Sequence, residues 1–265
     1  MSSNSLRTGL LLACGLAASA HAQTQWSGAV SLDWLTPGNW SPAVVPGLAA
    51  NPNAQVLISP ASAANISAVN APDLLTLSAL RVTRADVTTR FVDTDVDLND
   101  VYQHAGTMVL ESASFRSRMR FRGIEIGGAG EIRLDGGAGQ PSRAVLAFFN
   151  YPTLDQGVRL HGRGSIAGAF TNSGTVTADR AGDVLNMDAF QGDPLYLRNH
   201  GLMTSAQGGR LSIGTFEIDN AGGTIAADAS DTEFRQGCDL FGGTLSTSHG
   251  GRILINGSVF ESGVR

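Results

Sequence analysis

Two short stretches set the reading of the whole chain. In Phe91-Val-Asp-Thr-Asp-Val-Asp-Leu98, the acids Asp93, Asp95 and Asp97 alternate with Val92, Thr94, Val96 and Leu98. In Phe115-Arg-Ser-Arg-Met-Arg-Phe-Arg122, the bases Arg116, Arg118, Arg120 and Arg122 alternate with Phe115, Ser117, Met119 and Phe121. A period of two predicts strands with one charged and one apolar face. The two stretches are offset by 23 residues at every rung, Asp93 to Arg116, Asp95 to Arg118 and Asp97 to Arg120. If one coil of chain is 23 residues long, the acidic row stacks on the basic row about 4.8 Å away, outward, above an apolar interior.

The second half of the chain repeats at a similar length, and such periods point to stacked architectures. Asn172-Ser-Gly-Thr-Val, Asn199-His-Gly-Leu-Met, Asn220-Ala-Gly-Gly-Thr and Phe241-Gly-Gly-Thr-Leu begin 27, 21 and 21 residues apart. A second Gly turn and strand follow as Gly182-Asp-Val-Leu, Gly209-Arg-Leu-Ser-Ile and Gly251-Arg-Ile-Leu-Ile. Each unit reads strand, Gly turn, strand, with glycine expected at the corners for its tolerance of positive φ. The predicted fold is all-β, a parallel β-helix with coils of 20–27 residues. A leucine-rich repeat is disfavoured because its L-x-x-L-x-L framework and asparagine ladder are missing. A β-sandwich, whose hairpins recur about every 8–12 residues, is the second fold.

Composition agrees with a turn-rich β protein: 33 Gly, 9 Pro, 42% hydrophobic and only 15% charged residues. There is no Lys, so all 18 basic residues are Arg, and the net charge is −5. That balance disfavours a general nucleic-acid or acidic-membrane binder, and it removes Schiff-base and phosphate-loop lysine chemistry.

Residues 24–58 form a distinct entry module, with the three Trp of the chain at Trp26, Trp34 and Trp40. They are read as a packed hydrophobic lid, with an aromatic sugar-binding platform as the sharper alternative. The series Trp26, Ser31, Asp33-Trp34, Asn39-Trp40, Val45-Pro46, Val56 and Ile58 resembles the start of bacterial secreted β-helix proteins, including autotransporter passenger and filamentous-haemagglutinin-like chains. The resemblance covers about 35 residues. Those families usually carry an Asp shortly after the Val-Pro, where this chain has Leu48-Ala49-Ala50-Asn51. What the resemblance implies is a secreted or surface-exposed, adhesin-like scaffold that binds glycans or host and cell surfaces without catalysis.

Residues 1–22 read as a secretory signal peptide: Arg7, an apolar run from Gly9 to Ala20, then Ala20-His21-Ala22 as the cleavage site before Gln23. Leu11-Leu12-Ala13-Cys14 is a loose lipobox and the alternative processing site. No other segment has the length and apolarity of a transmembrane helix. Loss of the leader takes Arg7 and Cys14 and leaves Cys238 as the single cysteine, a small residue in a core or turn rather than a reactive thiol. The expected domains are 1–22 leader, 23–60 Trp-rich cap and 61–265 β-helix coils.

The search for chemistry returns little. Asp93, Asp95, Asp97, Asn99 and Asp100 imitate the opening of a Ca²⁺ loop, but Leu98 stands where Gly is needed and His104 where Glu is needed. Arg116, Arg118, Arg120 and Arg122 form a candidate grip for a polyanion such as an acidic polysaccharide, since guanidinium forks match carboxylates and sulfates. His104, His161, His200 and His249 lie in no zinc-binding spacing and are read as surface turn residues. Ser165 lacks the setting of a nucleophile elbow. Gly127-Gly-Ala-Gly and Gly136-Gly-Ala-Gly are read as coil corners. No cofactor or metal is expected; the alternative function is a polysaccharide-acting β-helix enzyme, a lyase or hydrolase. The stretch Gly251–Arg265 stays in repeat rhythm, which predicts either continuation into a longer chain or end-to-end pairing through the last coil.

Overall fold

The computed structural model describes residues 23–140, 143–189, 196–235 and 237–257, with the backbone of 259–260. The leader with its lipobox, and residues 261–265, lie outside the described residues. The chain is a parallel β-solenoid of about eight turns. No helix among the described residues is long and apolar enough to cross a membrane.

Each full coil runs over three faces, and one coil shows the order: Ser117–Phe121 on the first face, Glu125–Gly128 on the second, Glu131–Asp135 on the third. The next coil repeats it with Ala144–Phe148, Thr153–Leu154 and the first half of Arg159–Ala167, whose second half turns the corner onto the first face again. All pairing between coils is parallel. The β-sandwich alternative is thereby overturned, because its hairpins would pair neighbours antiparallel. The only antiparallel pair among the described residues is Gln23–Trp26 with Trp40–Ser41, at the N-terminal end.

Sequence periodicity becomes packing through the register. On the first face Val96, Met119, Leu146, Ile166, Met187, Ile213 and Phe234 stand rung upon rung. On the third face the row is Met108, Ile132, Leu160, Val176, Met203 and Ile225. All thirteen are at most 1% exposed, and full burial of one such side chain stabilises by roughly 1.5–3 kcal/mol. Coil length is less regular than the repeats suggest: Glu131 pairs Arg159, a step of 28, and Arg159 pairs Thr175, a step of 16. Corners absorb the difference. Asp219 pairs Phe241 but Thr224 pairs Thr244, so Asn220 stacks one residue away from its sequence alignment with Phe241.

Corner glycines serve in two ways: Gly182, Gly222 and Gly243 have positive φ as expected, whereas Gly174, Gly201 and Gly223 lie outside the left-handed region. A Cβ on Gly201 would instead lie 2.1 Å from the carbonyl oxygen of Gly174, and one on Gly223 would lie 2.2 Å from that of Asn199. Coils meet too closely at this corner for any side chain.

The same corner corrects the reading that an asparagine ladder is missing. Asn172, Asn199 and Asn220 are fully buried and point inward. Asn172 Nδ2 donates to Asn199 Oδ1 at 2.8 Å, and Asn199 Nδ2 donates to Asn220 Oδ1 at 2.7 Å. Nδ2 of Asn199 also reaches the Thr224 carbonyl at 3.2 Å. A buried amide costs little only while each group finds a partner, so the ladder exists because the three asparagines recur in register.

Trp26, Trp34 and Trp40 are 3%, 1% and 3% exposed, so the sugar-platform alternative is corrected and the lid is what the fold contains. Their rings meet edge to face, with centroids 4.9 Å apart for Trp26–Trp40 and 4.7 Å for Trp34–Trp40; Trp34 reaches Phe91 at 5.5 Å. Trp40 Nε1 donates to the Trp34 carbonyl and Trp34 Nε1 to that of Pro46, satisfying the polar tips inside the core. The solenoid starts before residue 61, since Ala54–Ile58 already stacks on Leu75–Val82. At the other end, Thr244–Ser248 and Arg252–Ile255 keep the parallel register, with Ile255 52% exposed.

Replacing Asn199 by Ala strands the Asn220 side-chain oxygen inside the core and leaves the Asn172 amide only its 3.3 Å bond to the Leu202 carbonyl. At about 1–3 kcal/mol per unpaired buried group, the expected loss is about 1–3 kcal/mol in urea unfolding. Replacement of the exposed neighbour His200 should stay within about 0.5 kcal/mol of the parent.

Candidate functional site: charged rows on the outer faces

The acidic and basic rows sit where the 23-residue offset puts them, with one correction. Asp95 pairs in register with Arg118 and Asp97 with Arg120, on adjacent parallel strands of consecutive coils. Arg118 Nη2 lies 2.7 Å from Asp95 Oδ2, and Arg120 is ion-paired with Asp97. Asp93 does not join this row. It occupies a corner at φ 48°, and its carboxylate accepts backbone N–H groups of Ala113, Ser114 and Phe115 from the next coil at 2.9–3.1 Å. Alternation made it a strand residue; the turn claims it because an Asx side chain can cap three converging amides.

Two acids therefore face four guanidiniums. The outer two, Arg116 and Arg122, reach only to 3.8 and 3.9 Å from Asp95 and Asp97. Their side chains are 52% and 42% exposed, against 26% and 23% for Arg118 and Arg120. On its other side the basic strand meets Val145 and Ala147 rather than acids. The inner pairs are structural, and the outer guanidiniums keep free donors directed to solvent. Arg122 in addition lies over the Phe149 ring, 4.6 Å from its centroid.

A second charged cluster lies on the third face and was not visible in the sequence. Glu131, Arg159 and His161 come from adjacent coils, and Asp179 follows the next strand, Thr175–Ala178. Arg159 bridges Glu131 at 3.2 Å and Asp179 at 2.8 Å. His161 Nδ1 lies 2.8 Å from Asp179 Oδ2; a carboxylate can only accept, so Nδ1 carries the proton. Nε2 then faces Glu131 at 3.6 Å. Burial pushes the Asp179 carboxyl up, but His161, Arg159 and Arg180 together outweigh it and hold the group below the ordinary value. The four residues lie 18 to 48 positions apart or share one strand, so only the uneven coil steps bring them together.

Two histidines contradict their reading as surface turn residues: His161 is 7% and His104 3% exposed. His104 ends a strand with its ring inward, stacked on Tyr102 and 3.3 Å from the Thr89 hydroxyl. Burial lowers its pKa from 6.5 to about 4. Cys238 is fully buried and its thiol is pushed up to about 11 by that burial, which agrees with a core role. No group of three or more metal-ligating side chains occurs among the described residues.

Two expectations follow from these environments. Arg118 and Asp95 are only about a quarter exposed, so Arg118→Glu sets a carboxylate against a half-buried carboxylate. The cost should be about 2 kcal/mol, above the ceiling of about 1 for exposed pairs, and Asp95→Arg in the same chain should recover most of it. For His104, the folded pKa lies below the unfolded one, so the unfolded chain takes up a proton from pH 6.5 downward that the folded chain refuses until about 4. Stability is complete above pH 6.5 and falls through that window by up to about 3 kcal/mol. His104→Leu should flatten urea-unfolding stability across it.

Comparison with known proteins finds no family whose model matches this chain, no similar curated protein and no similar solved structure.

Proposed function

We propose that the protein is a secreted or cell-surface β-solenoid scaffold of adhesin-like, autotransporter-passenger type, which binds glycans or surfaces along its lateral faces without catalysis. The reading is supported most by the basic strand Ser117–Phe121 and its flanks, where Arg116 and Arg122 keep exposed, weakly paired guanidiniums. Next to Arg116 stands Phe115, 71% exposed. A charged fork beside an apolar surface suits a carboxylated or sulfated glycan. The export leader read from residues 1–22 supports exposure of such a surface outside the cell.

A second reading, a polysaccharide-acting enzyme, draws on the cluster of Glu131, Arg159, His161 and Asp179, which sets two carboxylates and a tautomer-fixed imidazole on one outer face. New reducing or unsaturated chain ends after incubation with an acidic polysaccharide would favour it.

Retention of the purified chain on immobilised acidic polysaccharide tests the scaffold reading. Because the two outer arginines hold no close ion pair, the double variant Arg116→Ala/Arg122→Ala should fold normally and be retained several-fold less at about 0.1 M salt. The difference should vanish near 1 M salt, where screening acts within about 3 Å. Equal retention of variant and parent at low salt would overturn the assignment to this row.

A further inference from the structure

Away from the basic row, a groove of about 390 Å³ crosses three consecutive coils on the second face, lined by Tyr151, Thr153, Phe170, Thr171, Tyr196 and Arg198. Thr153, Thr171 and Arg198 are successive rungs of one outward row, so the groove floor spans about 10 Å along the solenoid axis. Tyr151 stands at one end, half exposed; Tyr196 and Arg198 stand at the other, with the guanidinium 5.1 Å from the Tyr196 ring centroid.

The walls are held in place. Tyr196 Oη donates to Asp219 on the next coil at 3.3 Å. Asn150 and Tyr151 both have left-handed backbones, φ 62° and 53°. For a bulky residue such as tyrosine this conformation is costly, of order 1–2 kcal/mol; its neighbour Asn150 is anchored to the preceding coil, with Nδ2 donating to the Arg122 carbonyl at 2.8 Å. The Tyr151 ring stands half exposed at the groove rim, and strained residues of this kind concentrate at ligand sites.

Local charge selects the ligand. Arg198 pairs in register with Asp219, and Tyr196 with Glu217, so two acidic residues of the adjoining coil stand opposite the one arginine of the groove. An anionic sugar gains nothing from such a field. Two aromatic rings, two threonine hydroxyls and an Arg fork next to acceptors are instead the complement of a ring with apolar C–H faces and equatorial hydroxyls. We infer that the Tyr151–Tyr196 groove is a binding subsite for an uncharged pyranose of a glycan, separate from the anion-facing row at Arg116 and Arg122. The inference rests on the glycan-binding reading and adds to it a second, salt-independent subsite.

Calorimetric titration of the full chain tests it, with uncharged gluco-, galacto- and manno-configured tetrasaccharides and a tetrauronate as probes. At least one neutral tetrasaccharide should bind, with equal affinity at about 0.1 and 1 M salt. Tyr196→Ala, and the isosteric Thr171→Val that keeps the fold, should each weaken it about tenfold or more. Arg116→Ala/Arg122→Ala, away from the groove, should leave it within about threefold. Neutral-sugar binding unaffected by Thr171→Val and Tyr196→Ala would overturn the groove assignment, as would binding of the tetrauronate alone through the Arg116/Arg122 row, which leaves the wider glycan reading standing. Binding of neither kind of sugar would overturn both.

Discussion

Every coil of this chain is fixed to the next by parallel backbone pairing at about 4.8 Å, and the rest of the structure answers to that spacing. Parallel register sets like position on like position, so whatever residue points inward at one rung meets the residue at the same rung above and below. Apolar rows such as Val96, Met119, Leu146 and Ile166 satisfy this directly. A polar residue pointing inward likewise meets its own kind, and Asn172, Asn199 and Asn220 pass hydrogen bonds along their row, amide nitrogen to side-chain oxygen. Outside, the same rule turns a row of carboxylates beside a row of guanidiniums into ion pairs, as at Asp95 and Arg118. One spacing thus accounts for the core, the buried polar line and the charged exterior.

A parallel stack also has two unlike ends, and the N-terminal one is closed on all three faces. Trp40–Ser41 pairs antiparallel against Gln23–Trp26, ending the second face. Ser67 on the third face exchanges backbone bonds with Leu32 and Trp34, and Thr76 on the first with Gly47. Beneath these edges the three indoles fill the mouth of the core. The closure costs an irregular segment whose amides need their own partners, and the buried Asn39 supplies them, accepting from Val30 and Ser31 and donating to Asp33.

What the sequence disclosed follows from periodicity, and what it hid follows from its local failure. A period of two and a fixed offset between strands are legible because they depend on residue spacing alone; hence the register of Asp95 with Arg118 could be read before any coordinates. Asp93 obeyed the alternation yet sits in a corner, since a turn can capture a residue that a strand pattern also fits. His104 and His161 looked like turn residues because polar character argues for the surface, whereas each is buried by neighbours from other coils: Tyr102 and Thr89 for the first, Arg159 and Asp179 for the second. The alignment sets Asn172, Asn199 and Asn220 in one register but is silent on which side faces in, which is why their ladder goes unseen in the sequence. The Tyr151–Tyr196 groove had no signal at all, as its residues are joined by coil steps of 18 and 27 that no repeat announces.

These irregular steps bear on function. Stability in this architecture is carried by inward rows and corner glycines, so outward positions are constrained mainly by solubility and by their partners across the coil. Changing the length of one coil by a few residues leaves the inward rows intact, provided a corner absorbs the change, but it slides a different set of outward side chains into contact. The step of 28 followed by one of 16 sets Glu131, Arg159 and Asp179 side by side. The step of 27 between Thr171 and Arg198 brings Tyr196 up against the Thr153–Thr171 row. In a solenoid of constant pitch, the places where coil length departs from its neighbours are therefore places where a surface unlike the repeat is built, and the Glu131–Asp179 cluster and the Tyr151–Tyr196 groove lie at such departures, whereas the Arg116–Arg122 row lies on the regular 23-residue step.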